Sequence, residues 1–205
     1  LSPTDGESLK NHLIREGYPQ EELTRVGVLR RDDNGANHDL FRGRLMFPIR
    51  DTYGQLVGFG ARTLDGSDPK YLNSAQGPLF DKSRILYGMD RARSDIRKNG
   101  AVIVEGYMDV ISLHQAGFKG AVASLGTAFT TSHFKLAAKY ADHIIFCFDG
   151  DEAGKKAADK AFFAILPHIR DQVSCAFLTL PSGEDPDSYI RNMGVEKFES
   201  MLQNA

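Results

Sequence analysis

The tripeptide Asp149-Gly150-Asp151 follows the apolar run His143–Phe148 and precedes the helix-forming residues 152–158. Two carboxylates thus stand at the C-terminal mouth of a buried strand, where ligands collect in open α/β sheets. Two acids separated by one glycine can turn their oxygens toward one hard cation. Mg²⁺ prefers oxygen ligands and takes one or two carboxylates together with phosphate oxygens. Acids recur at two more strand ends: Glu105-Gly106-Tyr107-Met108-Asp109 after Ala101–Val104, and Glu184-Asp185-Pro186-Asp187 after residues 173–180. If the strands run parallel, all three sets project from one edge. Carboxylates so crowded repel one another and raise one another's pKa. Divalent cations, which also bind phosphates, are the natural compensation. Each piece alone has a plainer reading: Asp-Gly-Asp is also an N-cap with a turn glycine, and Asp-Pro-Asp is a common helix start.

The elements that must position these acids follow from periodicity. Ala101–Val104, Ala121–Ser124, residues 144–148 and residues 173–180 read as strands. Residues 108–115, 131–140 and a long run from 152 to about 167 read as helices. Such alternation implies right-handed βαβ units and a mostly parallel sheet flanked by helices. The first hundred residues differ. Residues 9–15 and 21–26 read as short helices, and residues 31–39 as a polar loop. Arg44–Arg50 and residues 55–63 are strand-like runs around Asp51-Thr52-Tyr53-Gly54, a hairpin signal, with Pro48 marking an edge or a bulge. Residues 65–82 are loop-rich, and residues 89–98 form an amphipathic helix ending at Gly100. The expected organisation is a smaller α+β subdomain over residues 1–98, an α/β domain over 99–194, and the start of a following helical region at 195–205.

The chain's 205 residues suffice for one large domain or two small ones. No apolar run is long enough to span a bilayer. The chain begins at Leu1 rather than Met and enters structured-looking sequence at once, so it reads as an excised piece. Cys147 and Cys175 sit in apolar runs without metal spacing, which suggests a reducing interior. The six histidines have no paired spacing, so zinc is not expected. The net charge of −2 hides an asymmetry. Residues 41–98 hold eleven Lys/Arg against six Asp, a balance of +5, whereas residues 99–194 hold eight basic against eleven acidic side chains, −3. A basic segment joined to an acidic one suits a protein that grips a polyanion and handles it with metal ions. Uneven solvated surface gives the same numbers.

The order Glu105-Gly106-Tyr107-Met108-Asp109, Ala123-Ser124-Leu125-Gly126-Thr127, Asp149-Gly150-Asp151-Glu152-Ala153-Gly154 resembles the TOPRIM fold of bacterial primases, topoisomerases and some nucleases. The N-terminal block narrows the choice. Phe41-Arg42-Gly43-Arg44-Leu45-Met46-Phe47-Pro48-Ile49-Arg50-Asp51, Gly58-Phe59-Gly60-Ala61-Arg62, Pro69-Lys70-Tyr71-Leu72-Asn73-Ser74 and Leu86-Tyr87-Gly88 resemble the bacterial replicative (DnaG-type) primase family, a set topoisomerases lack. The resemblance covers nearly the whole chain and continues through Gly183–Asp187. One departure is Gly60-Ala61, where the family often has two glycines. The family also carries an N-terminal zinc module and a C-terminal helicase-binding domain, neither of which has a counterpart in these residues.

The resemblance implies template-directed synthesis of short RNA primers on single-stranded DNA from ribonucleoside triphosphates, by nucleotidyl transfer that uses Mg²⁺ or, in its place, Mn²⁺. It assigns Glu105, Asp149 and Asp151 as central metal ligands, with Asp109, Asp185 and Asp187 lining the same site. Glu105 as general base is a further option, with ligation favoured. Arg42, Arg44, Arg62, Lys70, Asn73 and Lys82 match family positions for nucleotide phosphates and template, where Arg supplies a planar fork and Lys a point charge. Tyr71 and Tyr87 suit base stacking or core packing. Lys155 and Lys156 read as exposed, and Gly126-Thr127 as a plain turn. Implied partners are the replicative helicase and single-strand-binding protein, through domains absent here, at the bacterial replication fork in the cytoplasm. Two rivals stand beside this reading: another TOPRIM enzyme, topoisomerase or nuclease, and a binding-only module inactive without its missing domains.

Overall fold

The alternating half of the chain builds one five-stranded sheet. In this computed structural model, which describes residues 1–169 and 173–205, its strands are β6 (Leu86–Tyr87), β7 (Ala101–Val104), β8 (Ala121–Ser124), β9 (His143–Phe148) and β10 (Ser174–Thr179). They lie in the order β10-β9-β7-β8-β6. β10, β9, β7 and β8 are parallel, and β6 closes one edge antiparallel to β8. Every residue of β7 and β8 is buried, which is why these strands are continuous apolar runs rather than alternating ones.

Helices cover both faces. On one, α3 (Met89–Asn99), α5 (Thr131–Ala138) and α6 (Glu152–Ile165) pack on Ile103, Val122, Ile144 and Phe146. On the other, α4 (Tyr107–Gln115), α7 (Pro186–Met193) and α8 (Val195–Gln203) pack on Val102, Val104, Ala123 and Cys147. Neighbouring strand residues feed opposite layers, as the two-residue strand period demands. Phe198 of α8 is fully buried and meets Phe118 edge-on at 5.2 Å. Residues 195–205 therefore lie on this sheet rather than apart from it. Both cysteines are free, and burial pushes their thiols up.

Residues 1–81 form smaller antiparallel structures. Helices α1 (Ser8–Arg15) and α2 (Gln20–Arg25) precede a two-stranded ribbon, β1 (Leu29–Arg31) with β2 (Asn37–Asp39). A three-stranded sheet follows in the order β3-β4-β5, with β3 (Arg44–Arg50), β4 (Leu56–Thr63) and β5 (Tyr71–Asn73). The polar stretch expected to be a loop is thus a hairpin, turned by Asp32, whose carboxylate accepts the Asn34 and Ala36 N–H groups. Pro48 sits on the edge strand β3 just before a bulge at Ile49/Arg50, so its missing donor costs no ladder bond in the sheet centre.

Two compact units result: Leu1–Arg50 with Gln55–Asp81, and Asp51–Gly54 with Lys82–Ala205. This division falls at Asp81/Lys82, earlier than the boundary expected near residue 99. The reason is that β6 hydrogen-bonds to β8, and Met89, Ala92 and Ile96 of α3 fill the core beneath the same sheet.

Candidate functional site

The chain runs from β7 through α4 to β8 on one side, and then crosses to β9 on the other side of β7. The crevice outside the carboxyl ends of β7 and β9 is therefore the switch point at which open α/β sheets bind ligands. Glu105 directly follows β7, and Asp149 directly follows β9. The Glu105 carboxylate turns toward β9 and accepts the Asp149 backbone N–H at 3.1 Å. Asp149 Oδ1 is buried and has no hydrogen-bond partner among the described residues. An ionised oxygen so placed is costly without a cation or a proton.

Electrostatics connects the six acids. Burial pushes Asp149 up to about 7, with repulsion from Glu105, Asp109, Asp185 and Asp151 adding to it. Burial likewise pushes Asp109 up to about 7, opposed by the Gly106 N–H and reinforced by Asp185, Glu105 and Asp187. Glu105 is also raised, mainly by burial, against the bond from Asp149 N–H. The acids of three strand ends thus lie within one another's field.

Two glycines make the approach possible. A Cβ on Gly150 would stand 2.0 Å from the Pro181 carbonyl oxygen, and one on Gly154 would stand 2.0 Å from that of Asp149. Gly150 N–H donates to the Glu184 carbonyl at 2.8 Å, tying the β9 end to the loop before α7. Only a residue without a side chain allows backbone this close.

The acids are not equally available. Asp151 caps α6, accepting the Gly154 N–H at 2.7 Å, and Asp185 caps α7, accepting the Ser188 N–H at 2.6 Å. Asp187 accepts from the Ser112 hydroxyl and, at 2.6 Å, from Arg191. With Asp109, Asp151, Asp185 and Asp187 all turned to local partners, no three His, Cys, Asp or Glu among the described residues converge into a ready-made metal cage. The N-cap and acidic-site readings of these motifs therefore describe the same atoms. Three further residues border the site: Glu184 and Lys156, noted in the sequence without a site role, and Lys160, which was not noted. Glu184 accepts from Ser188 Oγ at 2.5 Å and from Asn192 at 3.1 Å. Lys156 and Lys160, one helical turn apart, line a cavity of about 250 Å³ with Glu105 and Thr127. Their spacing was visible; the strand end they face was not.

The basic residues divide. Arg62 lies on β4, opposite Leu45 of β3 and Tyr71 of β5. Its guanidinium stands 5.7 Å from the Tyr71 ring centre, and the Lys70 ammonium 5.8 Å from it. Asn73, two residues on, shares that face and pairs with Gly60. Arg44 is paired with Thr63, so it points to the opposite face; it is 8% exposed and donates to the Pro69 carbonyl at 2.7 Å. Arg42 is exposed and donates to the Asp39 carbonyl at 3.2 Å. Lys82 is exposed and belongs to the second unit.

Comparison with known proteins gives these units a family. Residues 1–93 match the family described as DNA primase catalytic core, N-terminal domain, and residues 102–190 match the Toprim-like family. The RNA polymerase domain of Mycobacterium tuberculosis primase DnaG superposes with a TM-score of 0.85 at 37% identity, over 98% of this chain and 68% of that one. The chain belongs to the bacterial DNA primase family. A DnaG primase catalytic domain solved bound to single-stranded DNA is similar at a TM-score of 0.89 and 42% identity, over 100% of this chain and 66% of that one. The DNA primase of Neisseria meningitidis serogroup A is 50% identical over 192 residues, 93% of this chain and 32% of the relative. The chain thus spans about a third of the length of the curated primases it matches. Its α/β unit is the TOPRIM fold of this family, and TOPRIM domains of primases are generally metal-dependent. The residues here fit a divalent cation: a buried carboxylate oxygen lacks a donor among the described residues, and its neighbours are acids. A complete cage is not required for such an ion, because a hard divalent cation such as Mg²⁺ takes much of its shell from water and phosphate oxygens.

Proposed function

We propose that this chain is the catalytic part of a primase, performing template-directed synthesis of short RNA primers on single-stranded DNA. The observation that carries the reading is the orphaned, buried Asp149 oxygen beside Glu105 at the sheet's switch point. Glu105 and Asp149 would hold Mg²⁺, or Mn²⁺ in its place, with Asp151, Asp109, Asp185 and Asp187 around them. A divalent cation held there offsets the charge that builds on phosphoryl oxygens as a 3′-hydroxyl displaces pyrophosphate. Glu105 is taken as a ligand: the Asp149 N–H fixes its carboxylate through one oxygen beside Asp149, which suits shared coordination of a cation.

The basic face supplies the polyanion grip. Arg62, Lys70 and Asn73 take phosphates of template and nucleotide around the exposed Tyr71, and Arg42 and Lys82 add further charge. Arg44 supports that surface through the Pro69 carbonyl rather than touching nucleic acid itself. In this reading the template grip falls mainly to the first unit and the metal-binding acids to the second. The replicative helicase and single-strand-binding protein would engage other parts of the full-length primase. The site of action is the replication fork in the bacterial cytoplasm; no helix of the described residues is long and apolar enough to cross a membrane.

The test is incorporation of labelled ribonucleotides on single-stranded DNA with Mg²⁺ or Mn²⁺. Asp149→Ala and Glu105→Ala are expected to abolish synthesis with an unchanged circular dichroism spectrum. Synthesis retained by both variants would remove the carboxylates from the chemistry. DNA cleavage or relaxation without synthesis would point to another TOPRIM activity. Binding without synthesis under every metal condition would make the chain a binding module.

A further inference from the structure

Among the fully buried titratable side chains that the acidic centre does not use is His133, 0% exposed at the start of α5. A polar ring in such a place is unfavourable unless both nitrogens are bonded. Its Nδ1 accepts the Thr130 backbone N–H at 3.1 Å, closing a reciprocal cap in which Thr130 Oγ1 accepts the His133 N–H at 3.1 Å. Nε2 therefore carries the proton, and it donates to the Lys82 carbonyl at 2.9 Å. The Thr130 hydroxyl, already an acceptor, donates its own proton to the Ser83 carbonyl at 2.7 Å.

Two side chains at one helix end thus grip two consecutive carbonyls where the chain enters the second unit. The grip is rooted in the core. The His133 ring lies 5.4 Å from Phe129, which meets Phe146 of β9 edge-on at 5.0 Å. Phe129 also lines the cavity that holds Glu105. Capping α5 needs only a Thr130 hydroxyl, and filling the core needs only an apolar ring. The Nε2 donor is required by neither, and the carbonyl it reaches belongs to the residue that carries the exposed Lys82 ammonium.

We propose that His133 and Thr130 are positioning residues that hold the Lys82 backbone, so that its ammonium meets a nucleic-acid phosphate from a fixed point. Anchoring the stem removes part of the ordering cost that a lysine on a free loop pays on binding. The inference rests on the phosphate-binding role proposed for Lys82. It assigns work to two residues that touch neither substrate nor metal.

Binding of a labelled oligo(dT) strand to the full chain, followed by fluorescence anisotropy across a salt series, tests both layers. Lys82→Ala is expected to weaken binding about fivefold and to lower the salt slope by about 0.7, the value of one phosphate contact on a single strand. His133→Phe keeps the ring and loses the donor, and should reproduce that loss. His133→Gln restores a donor toward the Lys82 carbonyl and should recover to within about twofold. Thr130→Val, which loses the Ser83 bond, should move the same way and carries the test if His133→Phe fails to fold. Combining His133→Phe, or Thr130→Val in its place, with Lys82→Ala should bind no more weakly than Lys82→Ala alone. Losses that add in the combined variant, or His133 and Thr130 variants that bind as tightly as the parent, would overturn the positioning role while leaving that of Lys82 intact. A silent Lys82→Ala would overturn the role of Lys82 and, with it, the inference.

Discussion

Asp149 is held in tension at the atomic scale. Its position at the β9 end exposes it to Glu105 and Asp109, and its buried Oδ1 has no donor among the described residues to share the charge. Unfolded, Asp149 and Asp109 ionise near the ordinary aspartate value, about 3.9; folded, both hold protons up to about 7. Between these values the folded chain binds more protons than the unfolded one, so stability falls as pH rises. The stabilising contribution is complete below pH 4 and is lost as pH passes through about 7. Without divalent cations the melting temperature should therefore drop between pH 5.5 and pH 8, and Mg²⁺ should restore it at the upper end. Asp5, Asp32 and Asp65 are shifted downward by hydrogen bonds, so their opposite effect belongs below pH 4 and does not mask the trend. Asp149→Asn should flatten the slope in thermal scans and raise the melting temperature at pH 8 by about 2–4 °C, roughly 1 kcal/mol for a chain of this size. A slope of the same steepness in Asp149→Asn would locate the titration elsewhere.

Secondary-structure elements decide whether that residue can be where it is. Gly154 is the third residue of α6, and an ordinary glycine-to-alanine change inside a helix stabilises by about 0.5–1 kcal/mol. Here the added methyl would stand 2.0 Å from the Asp149 carbonyl oxygen. Gly154→Ala should accordingly reverse the usual sign, destabilising by about 1–3 kcal/mol as overpacked sites do, and should also depress synthesis by shifting Asp149. Denaturant melts and primer assays on the one variant check both halves. Asp151 shows why the motif resisted a single interpretation: the carboxylate that caps α6 also belongs to the acidic field around Asp149. Capping is local and readable from sequence, whereas membership of the field depends on where β7 lies.

At the level of the whole molecule, the chain divides into a unit of small antiparallel sheets and a unit built on a mostly parallel sheet, each with a net charge of −1, so the basic stretch 41–98 is split between them. Salt dependence of DNA binding reports the sum of phosphate contacts, so it separates basic residues that grip from those that only support. Arg62→Ala should lower the salt slope by about 0.7 with little change in stability. Arg44→Ala should do the reverse: its buried guanidinium holds the Pro69 carbonyl, so its loss destabilises the unit by about 1–3 kcal/mol and leaves the slope unchanged. Sequence placed both arginines in similar strand-like runs. Adjacent numbers on paired strands, Arg44 with Thr63 and Leu45 with Arg62, send them to opposite faces.

The residues alone were enough to announce the strands that form the sheet's parallel core, because a strand covered on both faces must be a continuous apolar run. They also marked the acids at three strand ends and the hairpin at Asp51–Gly54. They did not reveal the hairpin over residues 29–39, whose polar strands pair through backbone and the Asp32 turn rather than through apolar periodicity. Nor did they assign β6 and α3 to the α/β unit, since two residues of strand carry no periodic signal. Strand order was the decisive hidden variable. Only the crossing from β8 to the far side of β7 sets β9 beside it, and hydrogen bonding between strands distant in sequence, not local propensity, brings Glu105 within reach of Asp149.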